Sequence, residues 1–171
     1  IQAFEGNDSL VSVTIPAGVT NIELLAFRGC RALAHVAMPA TVTDIGGDVF
    51  GGCGCLTNVT IPDSVTAIGE CAFAFCESLT SVTLPPKITT IAYGLFEFCP
   101  SLTNVTIPRG VTNIGFEAFY GNGFTSIVIP SGVESIEGLA FMQCTNLLSV
   151  TIPASVANIG EWAFRGCSSL M

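Results

Sequence analysis

Eight cysteines are the residues of this sequence most able to carry chemistry, because thiolates bind zinc, form disulfides and act as nucleophiles. Cys53 and Cys55 form a C-x-C motif, and Cys71 and Cys76 form a C-x4-C motif. Zinc needs four ligands that converge as a tetrahedron, whereas Cys53 and Cys76 belong to a regular series that should point into a core. Cys55 and Cys71 could form a disulfide if their Cα atoms lie within about 7 Å. We expect neither, and we interpret the cysteines as reduced thiols.

An active site is hard to assemble from the other reactive side chains. His35 is the only histidine, and no serine, cysteine or carboxylate is tied to it by a motif of its own. The 13 acidic residues are scattered, and no pair is singled out for general acid and base catalysis. No phosphate-binding loop of the G-x-x-x-x-G-K-[ST] kind occurs. The sequence therefore predicts a protein that is not an enzyme and that uses no cofactor and no metal.

The chain repeats itself every 23 residues. Seven frames begin at Leu10, Leu33, Leu56, Leu79, Leu102, Phe124 and Leu147. The fifth has only 22 residues, because its segment YGNG is one residue short, and in every frame place 7 is proline, place 13 isoleucine and place 18 phenylalanine. A fixed period of this length is typical of a solenoid, in which each coil stacks on its neighbours. We predict a single array over residues 1–171, with frames at 10–169 between partial repeats, and expect it to be part of a longer protein.

Each frame predicts a short strand, a turn and a return segment. Places 4 and 6, such as Val59 and Ile61, alternate with outward residues, as in a strand with one buried face. Proline at place 7 ends the strand, because it cannot donate a hydrogen bond to a neighbour. A second extended piece follows, and the Ala-Phe pair at places 17 and 18 suits a short helical turn. The cysteines at place 21 should stack as a buried row: Cys30, Cys53, Cys76, Cys99, Cys144 and Cys167.

The frame L-x-x-V-T-I-P-x-x-V-T-x-I-G-x-x-A-F-x-x-C-x-x resembles the leucine-rich repeat of the BspA type, also called the Treponema pallidum type, in all seven frames. The resemblance implies an α/β repeat solenoid, a right-handed coil with short parallel strands on its concave side and short helical or 3-10 turns on its return side. It also implies a bacterial or protist cell-surface or secreted protein of the adhesin kind, which contacts host or extracellular-matrix proteins. The frames depart from the pattern at a few places, such as Asn122 instead of cysteine in the short frame.

Composition excludes two classes of partner. Half of the residues are hydrophobic, but no run approaches the 18 or so apolar residues of a membrane helix, so direct membrane insertion is not expected. Five basic residues against 13 acidic ones give a net charge of −8, which repels the phosphates of nucleic acids. The partner that remains is a protein, or a second copy of the chain that associates through an uncapped end or an apolar patch.

Two surfaces are candidates for binding. On the first strand, places 3 and 5 point outward and carry small side chains, while places 8 and 9 form a charged rim beyond the proline. The strand candidates are Ser12, Thr14, His35, Asn58, Thr60, Ser81, Thr83, Asn104, Thr106, Ser126, Ser149 and Thr151, and the rim candidates are Asp63, Lys87 and Arg109. On the return side, large apolar residues stand where a plain solenoid would have polar ones, as an association surface does. They are Phe75, Tyr93, Phe98, Phe116, Tyr120, Met142 and Trp162.

Three functions are compatible with these surfaces. The first is a non-catalytic protein-binding module, since a long concave sheet offers an extended surface. The second is a structural spacer that projects another domain and has no ligand of its own. The third is ice binding through the row of threonines, which Ala37 and Val128 interrupt and which a curved sheet would present poorly to a crystal plane. We favour the first.

Overall fold

The computed structural model describes residues 2–171, and it has two short strands in every frame. The first strand occupies places 3 to 5: β1 (Ser12–Thr14), β3 (His35–Ala37), β5 (Asn58–Thr60), β7 (Ser81–Thr83), β9 (Asn104–Thr106), β11 (Ser126–Val128) and β13 (Ser149–Thr151). The second occupies places 12 and 13: β2 (Asn21–Ile22), β4 (Asp44–Ile45), β6 (Ala67–Ile68), β8 (Thr90–Ile91), β10 (Asn113–Ile114), β12 (Ser135–Ile136) and β14 (Asn158–Ile159). The short strands expected from proline at place 7 are therefore present.

Strands of successive coils pair in parallel, and equivalent places face one another. Val59 lies opposite Val82, which lies opposite Val105. The first strands form three ladders, β1-β3, β5-β7-β9 and β11-β13, and the second strands form two, β2-β4-β6 and β8-β10-β12-β14. The chain is thus a parallel β-solenoid.

The return side consists of tight turns, and the expected helical or 3-10 turns are wrong. Residues 2–171 contain no helix, so the α/β class is corrected to an all-β solenoid. Place 16 has a φ of +50° to +62° in every frame, and place 20 has a positive φ as well, even where it is not glycine, as in Phe75. Both places are the third residue of a four-residue turn, closed for example by Ala26 N–H donating to Glu23 O. A positive φ there is the mark of a type II turn and is incompatible with a helix.

Alternate N–H groups of the return side tie the coils together. The N–H groups at places 16, 18 and 20 donate to carbonyls of the next coil, as in Asp48 to Glu70 (2.8 Å) and Phe50 to Ala72 (2.9 Å). The N–H groups between them close the turns within a coil. The return side is therefore hydrogen-bonded from coil to coil much as the strands are.

A column of phenylalanine rings runs through the core. Its members are Phe4, Phe27, Phe50, Phe73, Phe96, Phe119, Phe141 and Phe164. Neighbouring rings are 5.2 to 5.8 Å apart between centroids and tilted by no more than 17°. Each such contact adds about 0.5–1.5 kcal/mol to the effect of burial. The inward direction predicted for place 18 is confirmed, although Phe164, in the last coil, is only half-buried.

The predicted row of buried cysteines is also confirmed. Each of the six thiols donates to the carbonyl of the phenylalanine one coil earlier, as Cys53 does to Phe27 O at 3.2 Å. Burial raises the pKa of Cys53 and of Cys99 to about 12, so these thiols keep their protons at physiological pH. In the short frame the amide of Asn122 makes the same bond, to Phe96 O. The row belongs to the scaffold, since its thiols are neither exposed nor ionised.

The short frame lies at one of the two interruptions in the ladder of first strands. Gly123 closes the shortened turn, where a Cβ atom would collide with the carbonyl oxygen of Pro100. Phe124 then replaces leucine at place 1, is fully buried, and meets Phe119 edge-on at 5.6 Å between centroids. Phe124 precedes β11, which does not pair with β9; the ladder is also interrupted between β3 and β5, in frames of full length.

Candidate functional site

The front face, defined here as the side chains at places 3 and 5 of the first strands, is solvent-exposed. Every strand candidate named from the sequence is exposed, from Ser12 in β1 to Thr151 in β13. Parallel register aligns like with like, so that Asn58, Ser81 and Asn104 form one row and the threonines of the same strands another. The front face therefore offers two rows of neutral hydrogen-bonding groups, which Val128 (82% exposed) interrupts with an apolar side chain. Their binding role stays a prediction.

Other threonines of the repeat serve the fold. At places 2 and 11 the hydroxyl groups of five threonines donate to a backbone carbonyl of the preceding coil, as Thr80 does to Thr57 O at 3.2 Å and Thr43 to Thr20 O at 3.1 Å. These hydroxyl groups therefore bind one coil to the next. Within residues 2–171, no threonine at place 5 makes such a bond.

A groove of about 700 Å³ opens on the front face where β9 and β11 separate. Asn104 and Thr106 line one wall, Ser126 and Val128 the other, and Arg109 lies at its rim. Because the two strands do not pair, backbone groups at this junction are open to a ligand. This groove was not predicted from the sequence, although the fifth frame is one residue short at this place.

The rim residues divide between two grooves. Asp63 borders a second front-face groove of about 420 Å³, between β5 and β7, and Arg109 borders the larger one. Lys87, exposed between them, borders neither. The two grooves thus have rims of opposite charge.

The return-side apolar patch is organised as two rows of rings, all exposed except the half-buried Tyr120. Phe75 and Phe98 stack at 5.5 Å between centroids, and Tyr120 meets Phe98 edge-on at 4.6 Å. Tyr93 and Phe116 stack at 5.9 Å in the other row. Met142 is half-buried beyond the rows, and Trp162, 52% exposed, lies under the guanidinium group of Arg165 at 4.8 Å. The patch is exposed in its stacked form, so ring-to-ring packing alone does not cover it.

Carboxylates lie in the strip between the two rows. Gly94 forms its floor, since a Cβ atom there would lie 2.8 Å from Cys71 Sγ and 3.5 Å from Glu97 Oε2. Tyr93 Oη donates to Glu117 Oε2 at 2.9 Å, and this bond raises the pKa of Tyr93 to about 12. Burial, together with the negative charges of Glu117 and Asp48, raises the pKa of Glu97. The strip therefore carries uncompensated negative charge next to exposed aromatic faces.

The reactive side chains do not assemble into a site. His35 is exposed on β3, Cys55 is exposed and Cys71 half-buried, and all eight cysteines are free. Burial and the nearby carboxylates raise the pKa of Cys71 to about 11, which leaves its thiol protonated. Within residues 2–171, no three histidine, cysteine or acidic side chains are placed to hold a metal ion. The same residues include no helix of the length and apolarity that crossing a bilayer requires.

Sequence and structure comparisons agree on the family. A family model described as the BspA type leucine-rich repeat region matches in six copies, over residues 1–123 and 112–171. The chain belongs to the BspA-type leucine-rich repeat family. No curated protein matches it in sequence. This family assignment confirms the resemblance drawn from the repeat frame.

Solved structures of bacterial proteins share the fold of this BspA-type chain. A leucine-rich repeat protein of T. pallidum is 32% identical, with a TM-score of 0.76 over 99% of this chain and 69% of that one. A leucine-rich repeat protein of Eubacterium ventriosum has 26% identity and a TM-score of 0.80 over 94% and 44%. A leucine-rich cell surface protein of Faecalibacterium prausnitzii has 26% identity and a TM-score of 0.54 over 99% and 61%. The chain thus spans less than two thirds of the latter two proteins.

Proposed function

We propose that this chain is a non-catalytic protein-binding module of a bacterial cell-surface or secreted protein of the adhesin kind, and that its front face holds the ligand. The observation that carries the proposal is the groove between β9 and β11. It combines neutral hydrogen-bonding side chains, an exposed valine, a single cation and unpaired strand edges on one surface. Neutral groups of this kind suit a folded protein surface better than a small charged metabolite.

A surface or secreted location is supported by the F. prausnitzii protein, which is described as a cell surface protein. The absence of catalysis is supported by the repeat itself. The places that carry the same residue in every frame close each coil and stack it on its neighbours. The broken ladder of first strands favours protein binding over ice binding, which needs a continuous flat array of threonines.

Binding to a panel of purified extracellular-matrix proteins, measured by biolayer interferometry, tests this function. Ser126→Lys places a long cation in the groove and should abolish binding to any member that the wild-type chain holds. Thr145→Lys adds the same charge at an exposed site outside the front face and serves as the matched control. If the wild-type chain binds no member, the spacer hypothesis replaces the proposal. If Ser126→Lys binds as tightly as Thr145→Lys, the front face does not hold the ligand and the proposal is overturned.

A further inference from the structure

The exposed aromatic rows of the return side need an explanation beyond the fold. Phe75, Phe98, Tyr93 and Phe116 are each 39 to 48% exposed, although three of these four are phenylalanines with no polar atom to place in water. The stacking of Phe75 on Phe98 and of Tyr93 on Phe116 holds the rings in fixed orientations from coil to coil. Rigid, exposed aromatic groups in a continuous array are typical anchors of an interface.

The charge between the rows identifies the chemistry of the occupant. Glu97 and Glu117 lie in the strip, and the salt bridges within residues 2–171 are both made by Arg28, to Glu5 and Asp48. Neither Glu97 nor Glu117 is therefore neutralised by a basic side chain of the described residues. A carboxylate next to the face of an aromatic ring attracts a cation by its charge, and the ring adds its own attraction.

The chain itself offers one example of a cation on an exposed ring of the return side. Trp162 stands at place 16 and Arg165 at place 19, the places that Glu117 and Tyr120 hold two coils earlier. There the guanidinium group lies 4.8 Å from the centre of the exposed ring. A planar guanidinium stacks on a ring and can bind a carboxylate through two hydrogen bonds, which a lysine ammonium cannot do.

We propose that the strip bounded by Phe75, Phe98, Tyr93 and Phe116 binds an arginine-bearing extended segment of a partner protein. Guanidinium groups stack on the rings and donate to Glu97 and Glu117, with the segment running along the solenoid from coil to coil. A second copy of this chain is a poor occupant, because it has only five basic residues and one of them, Arg28, is already paired. This inference goes beyond the proposed function, since it concerns a surface other than the front face and stands or falls separately.

The test uses a capped (Arg-Gly)6 peptide and its (Lys-Gly)6 counterpart, titrated into the purified chain by isothermal calorimetry at physiological salt. The wild-type chain should bind the arginine peptide more tightly than the lysine peptide. Phe98→Leu should weaken the arginine complex by about two- to fivefold, because it removes one ring face while it keeps an apolar side chain. Glu97→Gln should weaken it to a similar or greater extent.

The controls separate this strip from the general negative charge of the chain. Asp63→Asn removes one charge from the front-face rim, and Val128→Ala trims an exposed apolar group there, and neither should alter peptide binding. Thermal unfolding of each variant shows that it is folded. Equal affinity for the two peptides, equal losses for Asp63→Asn and Glu97→Gln, or no effect of Phe98→Leu would each overturn the proposal.

Discussion

The amide nitrogen of Asn122 donates to the carbonyl oxygen of Phe96 at 2.8 Å, one coil away. This bond takes the place of the one that the cysteine thiols make in the six other coils, as Cys99 does to Phe73 O at 3.1 Å. The substitution has a cost, since the other end of the amide, Asn122 Oδ1, is buried without a hydrogen-bond partner. Asn122 preserves the coil-to-coil hydrogen bond but leaves one polar atom of its own side chain without a partner.

Asn122→Cys should therefore stabilise the chain. A cysteine restores the row and removes the unsatisfied oxygen, for an expected gain of about 1 kcal/mol in the free energy of unfolding. Chemical denaturation of the two proteins measures it. Asn122→Ala, which lacks both the hydrogen bond and the buried oxygen, should have a lower free energy of unfolding than Asn122→Cys. If Asn122→Cys is less stable than wild type, Asn122 Oδ1 has a hydrogen-bond partner in solution.

Much of the coil could be predicted from the sequence, because buried places constrain residue type. Val59 and Ile61 alternate with outward neighbours, and the phenylalanines and cysteines recur at places that each have one environment, so their direction followed from spacing alone. The return turns could not be predicted from the Ala-Phe pair, because place 16 adopts a positive φ with side chains as different as Leu25 and Trp162. The packing of neighbouring coils imposes that conformation against local preference.

One signal for these turns was present at place 20, where Gly52 and Gly166 are among several glycines. Two neighbouring glycines provide a direct test of backbone strain. There is room for a Cβ atom at both: on Gly52 it would meet only ordinary contacts, and on Gly54 nothing within 4 Å. The two differ in backbone angle, since Gly52 has a φ of +73° and Gly54 does not have a positive φ. Gly52→Ala should destabilise the chain by about 1 kcal/mol, whereas Gly54→Ala should be neutral or slightly stabilising. Equal effects in thermal or urea unfolding would mean that the turn relaxes.

The phenylalanine column should dominate the stability of the solenoid. Phe96 is fully buried in the column, and Phe98, two residues later, is 41% exposed. Phe96→Ala should lower the free energy of unfolding by about 3–5 kcal/mol, and Phe96→Leu by about 1–2 kcal/mol because it keeps volume but loses stacking. Phe98→Ala is the matched control, with a loss of at most about 1 kcal/mol. A larger loss of unfolding free energy for Phe98→Ala than for Phe96→Ala would contradict a structure in which Phe96 faces the core and Phe98 faces solvent.

Stability should fall in alkaline solution. Burial raises the pKa of Cys99 from an ordinary 9.0 to about 12. The unfolded thiol therefore loses its proton first, so the stability that this group contributes is complete below pH 9 and is lost as pH rises from 9 towards 12. Cys99→Ala should reduce the slope of unfolding free energy against pH in that window by up to about 1.4 kcal/mol per pH unit. Val128→Ala, which removes no ionisable group, should leave the slope unchanged, and Tyr93, whose pKa is also raised, contributes equally to both variants.

Thiol accessibility tests the closure of the coils most directly. Titration of the native chain with an aromatic disulfide reagent at pH 8 should show rapid reaction of Cys55 and slow reaction of Cys71, which is half-buried and has a pKa raised to about 11. The six cysteines of place 21 should react only at the rate at which the protein unfolds, and all eight should react at once in denaturant. Rapid modification of the place-21 cysteines in the native protein would contradict a solenoid whose repeat buries them.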